Sequence, residues 1–350
     1  MRSVTNLQFD EEKAKNLNRV IVQDAFYEKI EAVRKINLNF IQPPTILTQD
    51  YPINQTTSQA LLSQLETTLV FDCDPKSGME YSRRVLFGGY DESKAQFLAL
   101  EGEAQLTTHV LTQVFNEEII PCCKVSFYFY SQSELLTQQS NYVKHSKDIS
   151  SDSNLDYVID RNEVILETTL DNSILFIDGP LIGGNISSYN LKLVNQLHKK
   201  NVLPIFIIKN SESNLVVENI PEFRGKYNSD LHWAYNVLKA GQRTAMFKYT
   251  DQVNPENTKI FCYIKPFNRV TTQRIEFSLP TYQLYYQELV NIFNLVYYLI
   301  LDHGSETNPQ VRPIAFSESY AREILKLINF ENLLMNSSLV PIMNETRFGG

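Results

Sequence analysis

The segment SILFIDGPLIGG at 173–184 runs four apolar residues, Ile174 to Ile177, into an acid. Such a run demands a buried strand. Asp178 closes it, and Gly179 with Pro180 turn the chain away, which leaves the carboxylate at the strand's C-terminal edge, where open α/β sheets gather their ligands. The same pattern also serves a plain turn. A second strand-like run, TTLVFDCD at 67–74, ends in Asp72, with Asp74 two residues on and on the same face. Either acid can join Asp178 if the two strands lie close in the sheet, and Asp74 equally suits a turn cap. On the helical stretch RNEVILETTLDN at 161–172, Glu163 and Glu167 stand one turn apart, so one reaches the strand edge while the other stays solvated. Three carboxylates around one edge repel each other unless a divalent cation neutralises them. Hard oxygen ligands suit Mn²⁺ or Mg²⁺. Two such cations, about 3.5–4 Å apart, activate water and stabilise the leaving oxygen in phosphodiester hydrolysis.

Other chemistries find less support. The five histidines show no mutual spacing of a zinc site, and the four cysteines (Cys73, Cys122, Cys123, Cys262) form no C-x-x-C pair, so buried reduced thiols are expected. LFGGYD and LIGGN lack the Lys-Ser/Thr of a nucleotide-binding phosphate loop, which argues against ATP hydrolysis by this chain. A formal charge of −8 argues against a protein that coats nucleic acid, but it leaves room for a nuclease whose basic residues are confined to one channel. Lys209, Lys239, Arg243 and Arg274 are candidates for phosphate contacts, against the commoner role of salt bridging. No apolar stretch is long enough to span a bilayer, and the polar N-terminus lacks the apolar core of a secretory signal, so a cytoplasmic location without a membrane is expected.

The elements that must position these residues follow from periodicity. Residues 10–37 suit one or two amphipathic helices, an N-terminal arm, and the Pro-, Thr- and Gln-rich stretch 41–58 reads as a linker to a domain spanning 59–350. Within it, 67–74, 85–91 and 97–104 are expected as strands, 105–118 as a helix and 124–131 as a strand, with a polar surface loop at 137–156. Alternation follows: a helix at 158–171, a strand at 174–178, a helix at 190–200 and a strand at 202–209, which together include a βαβ unit. Strands at 244–249, 259–265 and 273–277 and helices at 283–303 and 317–335 complete the chain. A meander followed by alternating helix and strand predicts an α/β fold with a mixed sheet flanked by helices, the order of an RNase H-like core.

Several segments together resemble the NurA family of nucleases. FIDGPL at 176–181 is similar to an acidic motif of that family, and VLPIFIIKNSES at 202–213 to the strand and Lys-containing turn after it. SDLHWAYNVLKAGQRTAMF at 229–247, QRIEFSLP at 273–280 and RPIAFSESYAREI at 312–324 resemble further family segments in the right order, so that the likeness covers about 67–325. The resemblance implies an RNase H-like core and a Mn²⁺-dependent DNA nuclease with 5′-to-3′ exonuclease and single-strand endonuclease activity. It also implies a homodimer working with a HerA-type hexameric ATPase, in DNA-end repair or antiviral defence. Carried over, the metal ligands are Asp72, Glu163 and Asp178, with Asp74 and Glu167 as alternates. Two departures stand out. The family's first motif is Asp-Gly-Ser, where this chain has Asp72, Cys73 and Asp74, and at the family's C-terminal Tyr and His places stand Gln310 and Glu318. Glu318 is a possible acidic replacement for the His. A catalytically weak subunit that serves the ATPase as a DNA-channel partner is the alternative reading.

Overall fold

The computed structural model describes residues 19–36, 60–66, 68–115, 118–183, 187–219, 227–251 and 254–342. Residues 10–18 and 37 of the expected helical N-terminal arm and the linker at 41–58 lie outside the described residues, and the described part of the arm, 19–36, holds a strand as well as a helix. The chain opens with strand β1 (Arg19–Val22) and helix α1 (Phe26–Arg34), which buries Phe26, Ile30 and Val33 at helical spacing. Strands β2 (Ala60–Gln64) and β3 (Val70–Asp72) precede α2 (Pro75–Ser82), whose first turn is set by a proline at its start and by Asp74 as its cap. A meander of long strands follows: β4 (Leu86–Ala99), β5 (Gly102–Phe115) and β6 (Glu118–Ser131), each of 14 residues.

Here the structure corrects the sequence reading. The segments 85–91 and 97–104 belong to one strand and the start of the next, and the helix expected at 105–118 is the strand β5. Its Leu106, Val110, Leu111 and Val114 repeat at helix-like intervals, but β5 is covered on both faces, which erases the alternation that marks a half-exposed strand. The stretch expected as a surface loop contains β7 (Val143–His145) and the first turns of α3 (Ile149–Thr168). Helix and strand then alternate as the sequence predicts through β8 (Ser173–Asp178), α4 (Ser187–Lys199) and β9 (Leu203–Ile208); α5 (Leu215–Asn219) is additional, α6 (Asp230–Val237) follows, the single strand expected at 244–249 is two, β10 (Gln242–Thr244) and β11 (Phe247–Asp251), and β12 (Lys259–Lys265) and β13 (Gln273–Ser278) stand where expected. Helices α7 (Leu279–Leu284), α8 (Leu289–His303), α9 (Arg312–Ile328) and α10 (Phe330–Met335) close the chain.

The strands form one mixed sheet ordered β1-β6-β5-β4-β8-β9-β13-β12-β10-β3. Within it, β4, β5 and β6 are antiparallel, while β8 runs parallel to β4 and β9 parallel to β8. Three meandering strands, followed on the open side of the first by two parallel ones, constitute the RNase H-like core, within an α/β fold whose mixed sheet is flanked by helices. One face of this core packs Phe87, Ile174, Phe176, Ile205 and Ile207 against α8 and the start of α9. The other packs Tyr90, Leu175, Ile177 and Phe206 against α3 and α4. Each fully buried Phe or Ile contributes roughly 1.5–3 kcal/mol of transfer free energy, so these two layers fix the register on which the site depends. All four cysteines are buried and unbridged. Among the described residues no helix is long and apolar enough to cross a membrane.

Candidate active site

The parallel register of β4, β8 and β9 brings three side chains to one edge on the face covered by α8 and α9. Tyr90 pairs with Ile177, so Asp91 stands where β4 and β8 part company, level with Asp178. Asp178 in turn pairs with Ile207, two residues before Lys209. Asp91, Asp178 and Lys209 share the parity of Phe87, Phe176 and Ile207, the residues that face α8 and α9. Helix α9 adds a fourth group. Its first turns lie directly on β4, because Gly89 has no Cβ to collide with the Pro313 backbone. The Ser317 hydroxyl donates to the Gly89 carbonyl at 2.8 Å, and the Thr112 hydroxyl donates to the Pro313 carbonyl at 2.8 Å. Glu318, the residue after Ser317, is thereby delivered to the strand edge.

The four groups meet at one ammonium. Lys209 Nζ lies 3.3 Å from Asp91 Oδ2, 3.3 Å from Asp178 Oδ1 and 3.6 Å from Glu318 Oε2. The electrostatics follow from burial and crowding. Burial, with the charge of Asp178 added, pushes the Asp91 carboxyl up to about 7. Burial also raises Asp178, against the pull of Lys209, and the negative charges of Glu92 and Glu318 add to the rise. Desolvation works against the charge on Lys209, but Asp178, Asp91 and Glu318 outweigh it and hold its pKa above the ordinary lysine value. Glu318 is further held by the side-chain amide of Gln310 and by Arg322.

The turn after Asp178 is fastened from both sides. Gly179 takes φ +96°, open to glycine alone without strain, and its N–H donates to the Ile207 carbonyl at 2.9 Å. The Leu181 N–H donates to Glu276 Oε2 at 3.0 Å, and Asn190 Nδ2 donates to the Leu181 carbonyl at 2.8 Å and the Pro180 carbonyl at 3.2 Å. Glu276 is fully buried and compensated by Lys259 at 2.5 Å and Arg274 at 2.9 Å. The geometry of Asp178 therefore rests on a buried ion cluster two strands away.

The residues expected from sequence divide sharply. Asp178 and Lys209 stand together, with Glu318 and Gln310 beside them. Asp72 does not join them: β3 is five strands from β8 in the sheet order, about 24 Å at ~4.8 Å per strand. Its carboxylate accepts from Gln242 Nε2 at 2.9 Å. Asp74 caps α2, accepting from Ser77 Oγ at 2.6 Å and Lys76 N at 3.0 Å; the Ser77 bond, with the backbone bond second, lowers its pKa. Glu163 is exposed and pairs with Lys124 at 2.9 Å, and with Glu167 it lines a separate cavity of about 760 Å³ beside α1. Helix α3 lies on the opposite face of the sheet from Asp178, which is why neither glutamate reaches it. Arg243 is buried between the rings of Phe71 and Phe293, 4.1 and 4.4 Å away, and forms a two-pronged bridge to Glu66 at 2.8 and 2.9 Å. Arg274 is committed to Glu276. Both arginines are structural in this fold, and the exposed Lys239 sits in the turn before β10, where its backbone N–H donates to the Gln242 side chain that also bonds Asp72.

Sequence reasoning missed Asp91 and Glu92. Their signal is the apolar run LFGGY followed by Asp-Glu-Ser at 91–93, closer to an Asp-Gly-Ser motif than Asp72, Cys73 and Asp74 are. Among the described residues, no three His, Cys, Asp or Glu side chains converge closely enough to hold a metal ion. The carboxylates of the edge converge on Lys209 instead.

Residues 116–289 match the NurA domain family. The chain belongs to the NurA family. No curated protein matches it. Among solved structures, the NurA nuclease from Sulfolobus solfataricus is similar with a TM-score of 0.45 and 10% identity, over 70% of this chain and 83% of that one. Endonuclease V from Bacillus subtilis gives 0.37 and 11% over 71% and 83%. A NurA crystal structure with manganese gives 0.36 and 9% over 70% and 89%. The NurA match runs from the start of β6 into α8 and so contains Asp178 and Lys209. Asp91, Gln310 and Glu318 lie outside it, and the fold brings them in.

Proposed function

We propose that this NurA-family chain is a divalent-metal-dependent deoxyribonuclease acting at the Asp91–Asp178 edge. The observation that carries the reading is the convergence of Asp91, Asp178 and Glu318 on Lys209, with the charge of Glu92 felt by both aspartates. Three carboxylates at the edge, with the charge of Glu92 behind them, against Lys209 and the Arg322 that pairs with Glu318 leave an excess of negative charge that a hard cation relieves, and every donor is an oxygen, which fits Mn²⁺ or Mg²⁺. Asp91 and Asp178 would hold the ion, with Glu318 completing the set. When bound, the cation lowers the pKa of water and screens the charge of the scissile phosphate. Asp91, with its pKa near 7, is poised to give up its proton in the neutral range. Lys209 offers an ammonium to a phosphate oxygen, the contact expected of it from sequence.

The sequence resemblance extends the reading to a homodimer that receives DNA from a HerA-type hexameric ATPase, with 5′-to-3′ exonuclease and single-strand endonuclease action. Labelled single- and double-stranded DNA incubated with Mn²⁺, Mg²⁺ or EDTA tests the activity. Degradation that persists in EDTA contradicts the metal reading, and none at all, even with the ATPase present, favours the weak structural subunit. Size-exclusion chromatography and co-purification test the dimer and the ATPase.

A further inference from the structure

The edge that carries the acid cluster continues past Lys209 into a cavity of about 440 Å³. Three segments form its polar wall: the turn after β9 with Lys209 and Asn210, the connection from β12 to β13 with Arg269 and Thr271, and the connection from α8 to α9 with Thr307 and Asn308. Strand β13 runs antiparallel to β9 with Arg274 beside Ile208, so the residues just before β13 emerge at the edge where Lys209 stands. The turn that carries Arg269 is pinned on both sides. Val270 and Thr272 are buried, and the Asn268 carbonyl accepts from the Tyr235 hydroxyl at 3.1 Å, while Arg269 itself is exposed. Among the described residues nothing pairs with its guanidinium. Arg243, Arg274 and Lys209, by contrast, are each bound to carboxylates.

We infer that this cavity is the track of a single DNA strand beside the cleavage site, in which Arg269 holds a phosphate neighbouring the scissile one. The inference rests on the nuclease reading for where cleavage occurs. The lining decides which part of the strand is held. Arginine, asparagine and threonine side chains are common partners of phosphate and sugar oxygens, and Asn210, Thr271, Thr307 and Asn308 all stand exposed around Arg269. None of the lining residues is aromatic, so a base finds no ring to stack on. The grip is on the backbone and is blind to sequence. Glu306 is the one acid among the lining residues, and it too is exposed. With a formal charge of −8 the chain exerts no general pull on DNA, so an unpaired arginine next to the site carries a measurable share of the affinity.

Fluorescence anisotropy on the full chain tests this, with labelled oligodeoxycytidine and oligothymidine dodecamers and Ca²⁺ to hold off cleavage. Arg269→Gln is expected to weaken both strands alike, by about fivefold to tenfold in about 50 mM salt, and to lower the slope of log affinity against log salt by about 0.7, the loss of one phosphate contact on a single strand. Arg84→Gln is the control for net charge. Arg84 is also exposed, but it lies just before β4, at the edge where β8 begins rather than where Asp178 ends it, and its loss should change neither quantity. In Mn²⁺, Arg269→Gln should raise KM with kcat within about twofold of wild type, the signature of lost binding rather than lost chemistry. An unchanged slope in Arg269→Gln overturns the inference, as does an equal loss in Arg84→Gln, a loss confined to one of the two strands, or a fall in kcat at unchanged KM. The two readings fail separately. A lowered slope in a chain that never degrades DNA in Mn²⁺ sinks the nuclease and leaves the strand-binding cavity, while degradation with an unchanged slope does the reverse.

Discussion

Asp91 and Asp72 show how a single residue's meaning depends on what lies beside its strand. Each closes an apolar run, yet one shares an edge with Asp178 and Lys209 and the other hydrogen-bonds to Gln242 at the far end of the sheet. Asp91→Asn is therefore expected to reduce metal-dependent cleavage by at least about a hundredfold, the scale of losing a group that stabilises transition-state charge, while Asp72→Asn stays near wild type; initial rates on labelled single-stranded DNA check both. The raised pKa of Asp91 has two further consequences. A proton and a cation compete for the same carboxylate, so Mn²⁺ affinity measured by calorimetry should rise as pH passes through about 7. In the metal-free protein the folded state holds this proton more tightly than the unfolded chain does. The stability this confers is full below the unfolded carboxyl pKa and lost as pH rises through about 7. Thermal melts without metal should thus drop from mildly acidic to mildly alkaline pH, and Asp91→Asn should flatten that drop.

At the scale of elements, the site depends on how α9 is seated. Gly89 permits backbone contact between β4 and Pro313, and a Cβ there meets the Pro313 and Ile314 backbone, with no flexible side chain to give way. Gly89→Ala is expected to cost about 1–3 kcal/mol, as overpacking does, and to displace Glu318 with its helix. Gly78→Ala provides the comparison, because its Cβ would meet Asn294 and Tyr298 of α8, in the packing of α2 on α8. Both variants should lose stability in urea melts, but only Gly89→Ala should lose activity per folded molecule. Much of this level was legible in the sequence: Asp178, its Gly-Pro turn, the βαβ unit and Lys209 follow from local pattern. What stayed hidden is what periodicity does not encode. Strand β5 reads as a helix because both its faces are buried, and with β5 misread the place of β4 beside β8 is lost. Glu163 looks near Asp178 in sequence, but α3 lies on the other face of the sheet.

Over the whole molecule, an excess of 40 acidic over 32 basic residues leaves little general attraction for DNA, so binding must be local. The buried bridges of Arg243 to Glu66 and Arg274 to Glu276 remove two expected DNA contacts and leave Lys209 and Arg269 beside the site. A nucleic-acid strand drawn to this edge would meet the carboxylates and the lysine in one place. The most direct measurement of that account is cleavage of labelled single-stranded DNA in Mn²⁺ by the wild-type chain, Asp91→Asn, Asp178→Asn and Asp72→Asn side by side. Loss of cleavage in the first two variants, with Asp72→Asn and wild type both active, is the predicted result. Cleavage that survives Asp91→Asn but disappears in Asp72→Asn would contradict it.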